Sequence, residues 1–302
     1  MTRLTLIIPA LVALLVSGPA WGAEILAPAV HQTGDGHIPR ISIEGPIEKG
    51  DYEKFRGIVR NTGGQYTGIV LASPGGDLIE AMKIGSLIRR MRFWTKAPFD
   101  LYEGANQLLT FGIKDVKNRT CSSACFFILV AGVRRIGSEI GIHRPYLPSE
   151  RYREIGADDA ISAAKKIRQI SQKYLIEMNV PLELIDRMFN VPSGKTEMIP
   201  YKEAMSLFGG LIPELEDWVV AKCPGLTPIE QSLHRAIVDK HIFNKDKPLS
   251  AYDEEMSLKL GEKRSVKWEC RKRTVNLMGC RGWMREFNKP ETDVAIYCKD
   301  FL

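Results

Sequence analysis

Apolar residues recur along this chain with two periods, and the two periods alternate. Ile41-Ser42-Ile43-Glu44-Gly45-Pro46-Ile47 alternates apolar with polar and ends in a turn, which predicts a strand. Asp51 to Arg60 then sets Phe55, Ile58 and Val59 on one helical side. Gly68 to Ala72 is apolar without interruption, as expected of a strand covered on both faces of a largely parallel sheet. Ser73-Pro74-Gly75-Gly76 breaks that strand. Asp77 can cap a helix whose apolar positions, from Leu78 to Ile88, recur at helical spacing until Arg90. Thr95 to Thr120 is less regular and reads as loop mixed with short strand. Ala124 to Ala131 is apolar all round and predicts a helix buried within the domain. A second short run, Ile136 to Ile142, ends at His143, and Pro145 stiffens the exit. A long amphipathic helix follows over Tyr152 to Asn179, and a shorter one over Pro181 to Phe189. Another helix starts at Ile199-Pro200-Tyr201 and closes at Phe208 to Ile212. Strands alternating with helices from Ile41 to Ile212 imply an α/β domain with a mostly parallel sheet.

Both ends of the chain differ from this core. Arg3, an apolar run from Leu4 to Val16 and small residues around Ala20 to Ala23 follow the plan of a secretory signal peptide, residues 1–23. Cleavage after Gly22 and cleavage after Ala23 both fit. An uncleaved N-terminal anchor is the alternative, and it is the only membrane attachment the sequence suggests. Residues 24–40, rich in Gly, Pro, His and Thr, read as a linker or arm, and the α/β domain spans 41–217. Past Trp218 the composition changes. Thr227-Pro228-Ile229-Glu230 is a capping box that opens a helix through Val238. Lys267 to Arg271, Gly282 to Phe287 and Val294 to Cys298 look like short strands, so residues 218–302 are expected to form a small disulfide-stapled α+β appendage.

The composition narrows the possibilities. A chain of 302 residues with 44% hydrophobic content can bury a sizeable core. Its net charge of +6 comes from Lys and Arg alternating with Asp and Glu, a solvated surface that argues against a nucleic-acid partner. Six cysteines fit the oxidising space that an exported chain reaches. None has zinc spacing, so no metal is expected, and no cofactor motif appears. Cys121 and Cys125, four residues apart, suit either a disulfide or two buried thiols.

The chemistry concentrates in Cys121 to Tyr146. Ser122 and Ser123 open the buried helix, and His143 lies a short loop beyond it. A serine hydroxyl becomes an effective nucleophile when an imidazole accepts its proton. The bare backbone of the Pro-Gly-Gly turn offers amide donors for an oxyanion.

Several motifs share an order that resembles the ClpP/crotonase superfamily, and most closely its exported ClpP-like serine-protease-type proteins. The resemblance covers roughly Ile41 to Leu215. It rests on a strand ending in Ser73-Pro74-Gly75-Gly76, on Ser123 followed by an apolar helix and Gly132, on Ile142-His143-Arg144-Pro145, and on Glu203-Ala204 ahead of Gly209, Gly210 and Leu211. The resemblance implies a repeated β-β-α spiral. It makes Ser123 the nucleophile, His143 the general base, and the amides of Gly76 and Ala124 the oxyanion hole, with Ser122 left as helix cap. Thr196 stands where the peptidases carry their aspartate, so Glu197 is the first candidate acid and Asp186 the second. The segment between Gly76 and Ser123 is longer than the family's, with the extra residues within Lys96 to Lys117.

The expected function is therefore an exported serine peptidase acting on a peptide or protein through an acyl-enzyme. A catalytically silent peptide- or protein-binding module is the alternative. A Ser/Lys variant would use Lys195 or Lys114. A crotonase-type acyl-CoA enzyme fits the fold but not export to a compartment without CoA. Related peptidases assemble into rings, so the resemblance also implies a homo-oligomer, which the insertion and the C-terminal residues leave open.

Overall fold

The uninterrupted apolar run Gly68–Ala72 is an interior strand with every residue buried. It belongs to a computed structural model that describes residues 22–26, 40–62, 67–98, 120–137, 140–146, 153–243 and 249–299. In chain order the elements are β1 (Glu24–Leu26), β2 (Arg40–Glu44), α1 (Asp51–Asn61), β3 (Gly68–Ala72), α2 (Leu78–Met91), β4 (Trp94–Lys96), β5 (Cys121–Ser122) and α3 (Ala124–Leu129). There follow β6 (Arg134–Ile136), β7 (Ile140–Ile142), α4 (Ala157–Glu177), α5 (Leu182–Asn190), β8 (Glu197–Ile199), α6 (Tyr201–Phe208), β9 (Gly210–Leu211) and α7 (Pro213–Lys222). Helices α8 (Pro228–Phe243), α9 (Ala251–Glu286) and α10 (Val294–Tyr297) complete the described chain, with a 3-10 turn at Glu291–Asp293.

The main sheet has the order β1-β2-β3-β4-β6-β9. Its four inner strands are parallel, with Ile41 opposite Ile69 and Thr95 opposite Arg135, while β1 and β9 run antiparallel at the edges. A second sheet, β5-β7-β8, pairs β5 with β7 in parallel and β7 with β8 antiparallel. An isolated bridge from Ile47 to Gly76 continues the β2–β3 pairing past its carboxyl end, and one from Ser73 to Cys121 joins the main sheet to the second. The expected α/β architecture with a mostly parallel sheet is present.

Helices α2 and α3 form the centre of the core, where Ile84, Leu87 and Ile88 lie buried with Phe126 to Leu129. The last carbonyls of a helix lack intrahelical donors. Arg89 supplies them to the segment ending α3, donating to Val130 O at 3.1 Å and to Ala131 O at 2.9 Å. Burial pushes the Arg89 guanidinium down to about 10.

The structure differs from the sequence reading in four places. Residues 24–26 are not part of a free arm: they form β1, with Ile25 opposite Ile43. The run 136–142 is not one strand, because Ile136 ends β6 in the main sheet and Ile140 begins β7 in the other. The α+β appendage is also corrected. The expected strands at Lys267 to Arg271 and Gly282 to Phe287 lie in or at the end of the single helix α9, and Val294 to Tyr297 is α10. Between residues 218 and 299 the regular elements among the described residues are all helices, with no strand. Finally, a boundary at 217/218 falls inside α7. The signal segment up to residue 21, most of the arm (27–39) and most of the inserted segment (99–119) lie outside the described residues.

Packing explains why local β propensity lost at the C-terminal end. Trp268, Cys270 and Trp283 sit in a run rich in Glu, Lys, Arg, Leu and Met, and Ser250 caps it by accepting from Asp253 N at 3.1 Å. Once helical, the run brings Cys280, Trp283 and Met284 into the main core, and Trp283 Nε1 donates to Val59 O at 3.1 Å. Two glycines allow the approach. A Cβ at Gly279 would lie 2.6 Å from Met91 O, and one at Gly282 would lie 2.2 Å from Arg90 O. On an open helix Gly→Ala stabilises by about 1 kcal/mol. Here the sign reverses: Gly282→Ala is expected to destabilise by about 1–3 kcal/mol, read as a lower urea midpoint.

Candidate active site

Three strand ends deliver the candidate residues to one place. β3 runs into Ser73-Pro74-Gly75-Gly76, β5 into Ser123, and β7 into His143. Because β5 and β7 are parallel neighbours, with Ser122 opposite Gly141, Ser123 and His143 leave the sheet on the same side. Ser123 and His143 line one cavity of about 730 Å³ together with Gly76 and Ala124. That volume suits a small ligand or a stretch of peptide. Its walls are mainly apolar, with Leu78, Ile79, Phe127, Ile155, Ala163 and Ile167 among the lining residues.

Ser123 has φ 57 and ψ −122 at the turn from β5 into α3. A non-glycine residue in such a region costs on the order of 1–3 kcal/mol, and the strand-turn-helix setting is the one that lifts a nucleophile out of the backbone. Its hydroxyl does not cap α3, so it is not spent on the helix. Ser122, expected as the cap, is instead the last residue of β5. Its Oγ lies 2.6 Å from Thr120 Oγ1.

A disulfide between Cys121 and Cys125 spans this turn. Both sulfurs are buried, which resolves the choice between a bridge and free thiols. Closing so short a loop stabilises by about 2 kcal/mol in the chain-entropy account. That is the same size as the strain at Ser123, so the crosslink can offset it.

The Pro-Gly-Gly turn is held from below. Gly75 N donates to Ser73 Oγ at 3.1 Å, Ile47 N donates to Gly75 O at 2.8 Å, and Asp77 N donates to Ile47 O at 2.7 Å. Gly76 has φ 137, and a Cβ on it would lie 2.1 Å from Ile47 O. Both its conformation and its neighbour require glycine. With the amides of Gly75 and Asp77 engaged, the Gly76 amide has no acceptor among the described residues, and neither has that of Ala124. These two amides are the ones that the family resemblance implies for an oxyanion.

His143 is 9% exposed, and its Nδ1 lies 3.0 Å from Arg144 O. A carbonyl only accepts, so this contact puts the proton on Nδ1 and leaves Nε2 as the basic nitrogen. No hydrogen bond joins His143 to Ser123 among the described residues. Among the described residues neither expected acid is hydrogen-bonded to the imidazole. Glu197, opposite Ile142 in the β7–β8 ladder, is held by Arg187 at 2.5 Å, and the same guanidinium grips Glu203. The two carboxylates push the Arg187 guanidinium above its ordinary value, the bond from Glu203 contributing most. Asp186 is exposed on α5 and does not line the cavity.

Two cavity residues were missed by sequence reasoning. Tyr146 has its ring 5.9 Å from that of His143, and Glu154 brings a carboxylate to the wall. No local signal marks either one. Tyr146 belonged to an exit loop, and Glu154 to the start of the long amphipathic helix expected over Tyr152 to Asn179. Lys195 is exposed and lines no part of the cavity, and Lys114 lies outside the described residues. Among the described residues no group of His, Cys, Asp and Glu is placed to hold a metal ion.

No family model matches the chain, and no curated protein matches it either. Among solved structures it is similar to a ClpP1 point mutant from Listeria monocytogenes, at 16% identity over 55% of this chain and 85% of that one, with a TM-score of 0.38. So partial a likeness carries no statement about activity, and no step of the chemistry rests on it.

The crosslink leads to a direct expectation. Cys121→Ala/Cys125→Ala should lower stability by about 2 kcal/mol and speed amide hydrogen exchange between residues 120 and 126. Removing the Cys223–Cys270 bridge should leave exchange in that segment unchanged.

Proposed function

We propose that the protein is an exported serine hydrolase of the ClpP/crotonase type, cleaving peptide bonds through an acyl-enzyme on Ser123. The observation that carries this reading is the shared cavity. It brings a strained serine, a histidine with Nε2 as its basic nitrogen, and two amides without acceptors to one apolar space. In this reading His143 Nε2 takes the Ser123 proton as Oγ attacks the carbonyl carbon. The amides of Gly76 and Ala124 receive the oxyanion. The same imidazole returns the proton to the leaving amine, and water then repeats the sequence to release the acyl group.

The Arg144 carbonyl takes the orienting place that an acid holds in a triad, so the unit is a Ser/His pair backed by main chain. The substrate is a peptide or protein segment with apolar side chains, which the walls of the cavity suit. Export accounts for the N-terminal sequence, and the three disulfides agree with an oxidising compartment. No described helix is long and apolar enough to cross a membrane.

A second reading, a silent peptide-binding module, draws on the missing Ser123–His143 bond and on the capture of Glu197 by Arg187. A fluorophosphonate probe separates the two. The hydrolase reading expects covalent labelling of the native protein that vanishes in Ser123→Ala and slows by about 10²–10⁴-fold in His143→Ala. A native protein that stays unlabelled while binding apolar peptides would favour the module. Glu197→Gln should change the labelling rate by no more than about threefold, far short of the ~10⁴ loss seen when a true orienting acid is neutralised.

A further inference from the structure

The sequence leaves two cleavage positions open, after Gly22 and after Ala23, and the fold distinguishes between them. Asp51 opens α1 and is completely buried. Its Oδ2 accepts from Ala23 N at 3.0 Å and from Glu48 N at 2.7 Å, and its Oδ1 accepts from Lys54 Nζ at 2.8 Å. Ala23 is itself 3% exposed and leads directly into β1. Gly22 passes so near the carboxylate that a Cβ on it would lie 2.8 Å from Asp51 Oδ1. The chain thus enters the fold through a nitrogen held on a buried anion.

We propose that the Gly22–Ala23 bond is the one processed, and that the α-ammonium it releases docks on Asp51 as a buried ion pair fastening β1 to the sheet. The inference rests on the export reading. The step is hydrolysis by an export-processing endopeptidase: water adds across the bond, Gly22 departs as a carboxylate, and the nitrogen of Ala23 takes up a proton to become the ammonium. Before cleavage Ala23 offers Asp51 one neutral N–H. Afterwards a charged group with three N–H donors occupies the same place, and charge-assisted bonds to a carboxylate are roughly twice as strong as neutral ones. The other cation on Asp51, Lys54, has a side chain 56% exposed to water, so the ammonium is the buried partner. Cleavage one residue later would remove the Ala23 nitrogen and leave Oδ2 with the Glu48 amide.

The test starts from the full chain expressed in an exporting bacterial host. Intact mass and N-terminal sequencing of the exported protein are expected to show Ala23 as the first residue. A first residue of Glu24, or any other, overturns the inference and leaves export standing. A chain retained in the cell with its N-terminal segment uncut overturns both. The ion pair is tested separately by Nα-acetylation of the mature chain, which removes the charge and keeps every residue. Acetylation is expected to lower the melting midpoint by about 4 °C, and Asp51→Asn should remove that difference. Equal midpoints for the free and acetylated native chains overturn the ion pair.

Discussion

Four backbone hydrogen bonds hold the candidate site in register: Ile47 N to Gly75 O, Ser73 N to Thr120 O, Ser122 N to Ser73 O, and Ser123 N to Gly141 O, all between 2.7 and 3.1 Å. Each joins segments far apart in sequence, so together they fix the ends of β2, β3, β5 and β7 against one another. Side chains play little part in this join, which explains its composition. A Cβ at Gly75 would lie 2.6 Å from that of Ser123, and one at Gly141 would lie 2.3 Å from Ser122 Oγ. Small residues are found here because backbones meet backbones.

The strain at the site has a rigid base. Ser123 holds an unfavourable conformation, but it stands on a helix whose residues are all buried, and a covalent bridge crosses its turn. Burial of α3 supplies the larger contribution, since each fully buried Phe or Leu is worth about 1.5–3 kcal/mol. The disulfide acts locally, on the few dihedrals that aim the hydroxyl. Arg89 secures the far end of the same segment through two carbonyls, so α3 is fixed at both ends.

The C-terminal helix α9 braces α1 and the carboxyl end of α2. Trp283 packs in the core and bonds the end of α1, while Glu286 meets both Arg56 and Arg90. The aromatic burial outweighs the ion pairs, which are partly exposed and worth about 0–1 kcal/mol each. Disulfides Cys223–Cys270 and Cys280–Cys298 tie α9 to α7 and to the chain end. The long helix is therefore a buttress of the α/β domain, with two bridges limiting how far it can part from it.

What the sequence determined by itself was local. The continuous apolar run at 68–72, the Asp77 cap and the amphipathic spacing of α2 are short-range patterns, and each formed the element it predicted. The order of strands and helices was enough for the α/β class, and the motif order was enough to single out Ser123, His143, Gly76 and Ala124, which share a cavity. Long-range packing decided the rest. Nothing within Glu197 or Asp186 reveals that Arg187 holds the first and that the second faces solvent, because a carboxylate's partner is set by which strand and helix it meets. The segments around Trp268 and Trp283 looked like short strands, and only contact with Arg90 and Met91 explains glycines inside a helix there. The surroundings of the two serines were likewise tertiary: parallel pairing of β5 with β7 keeps Ser122 in the ladder, while Ser123 lies past the strand end and lines the same cavity as His143.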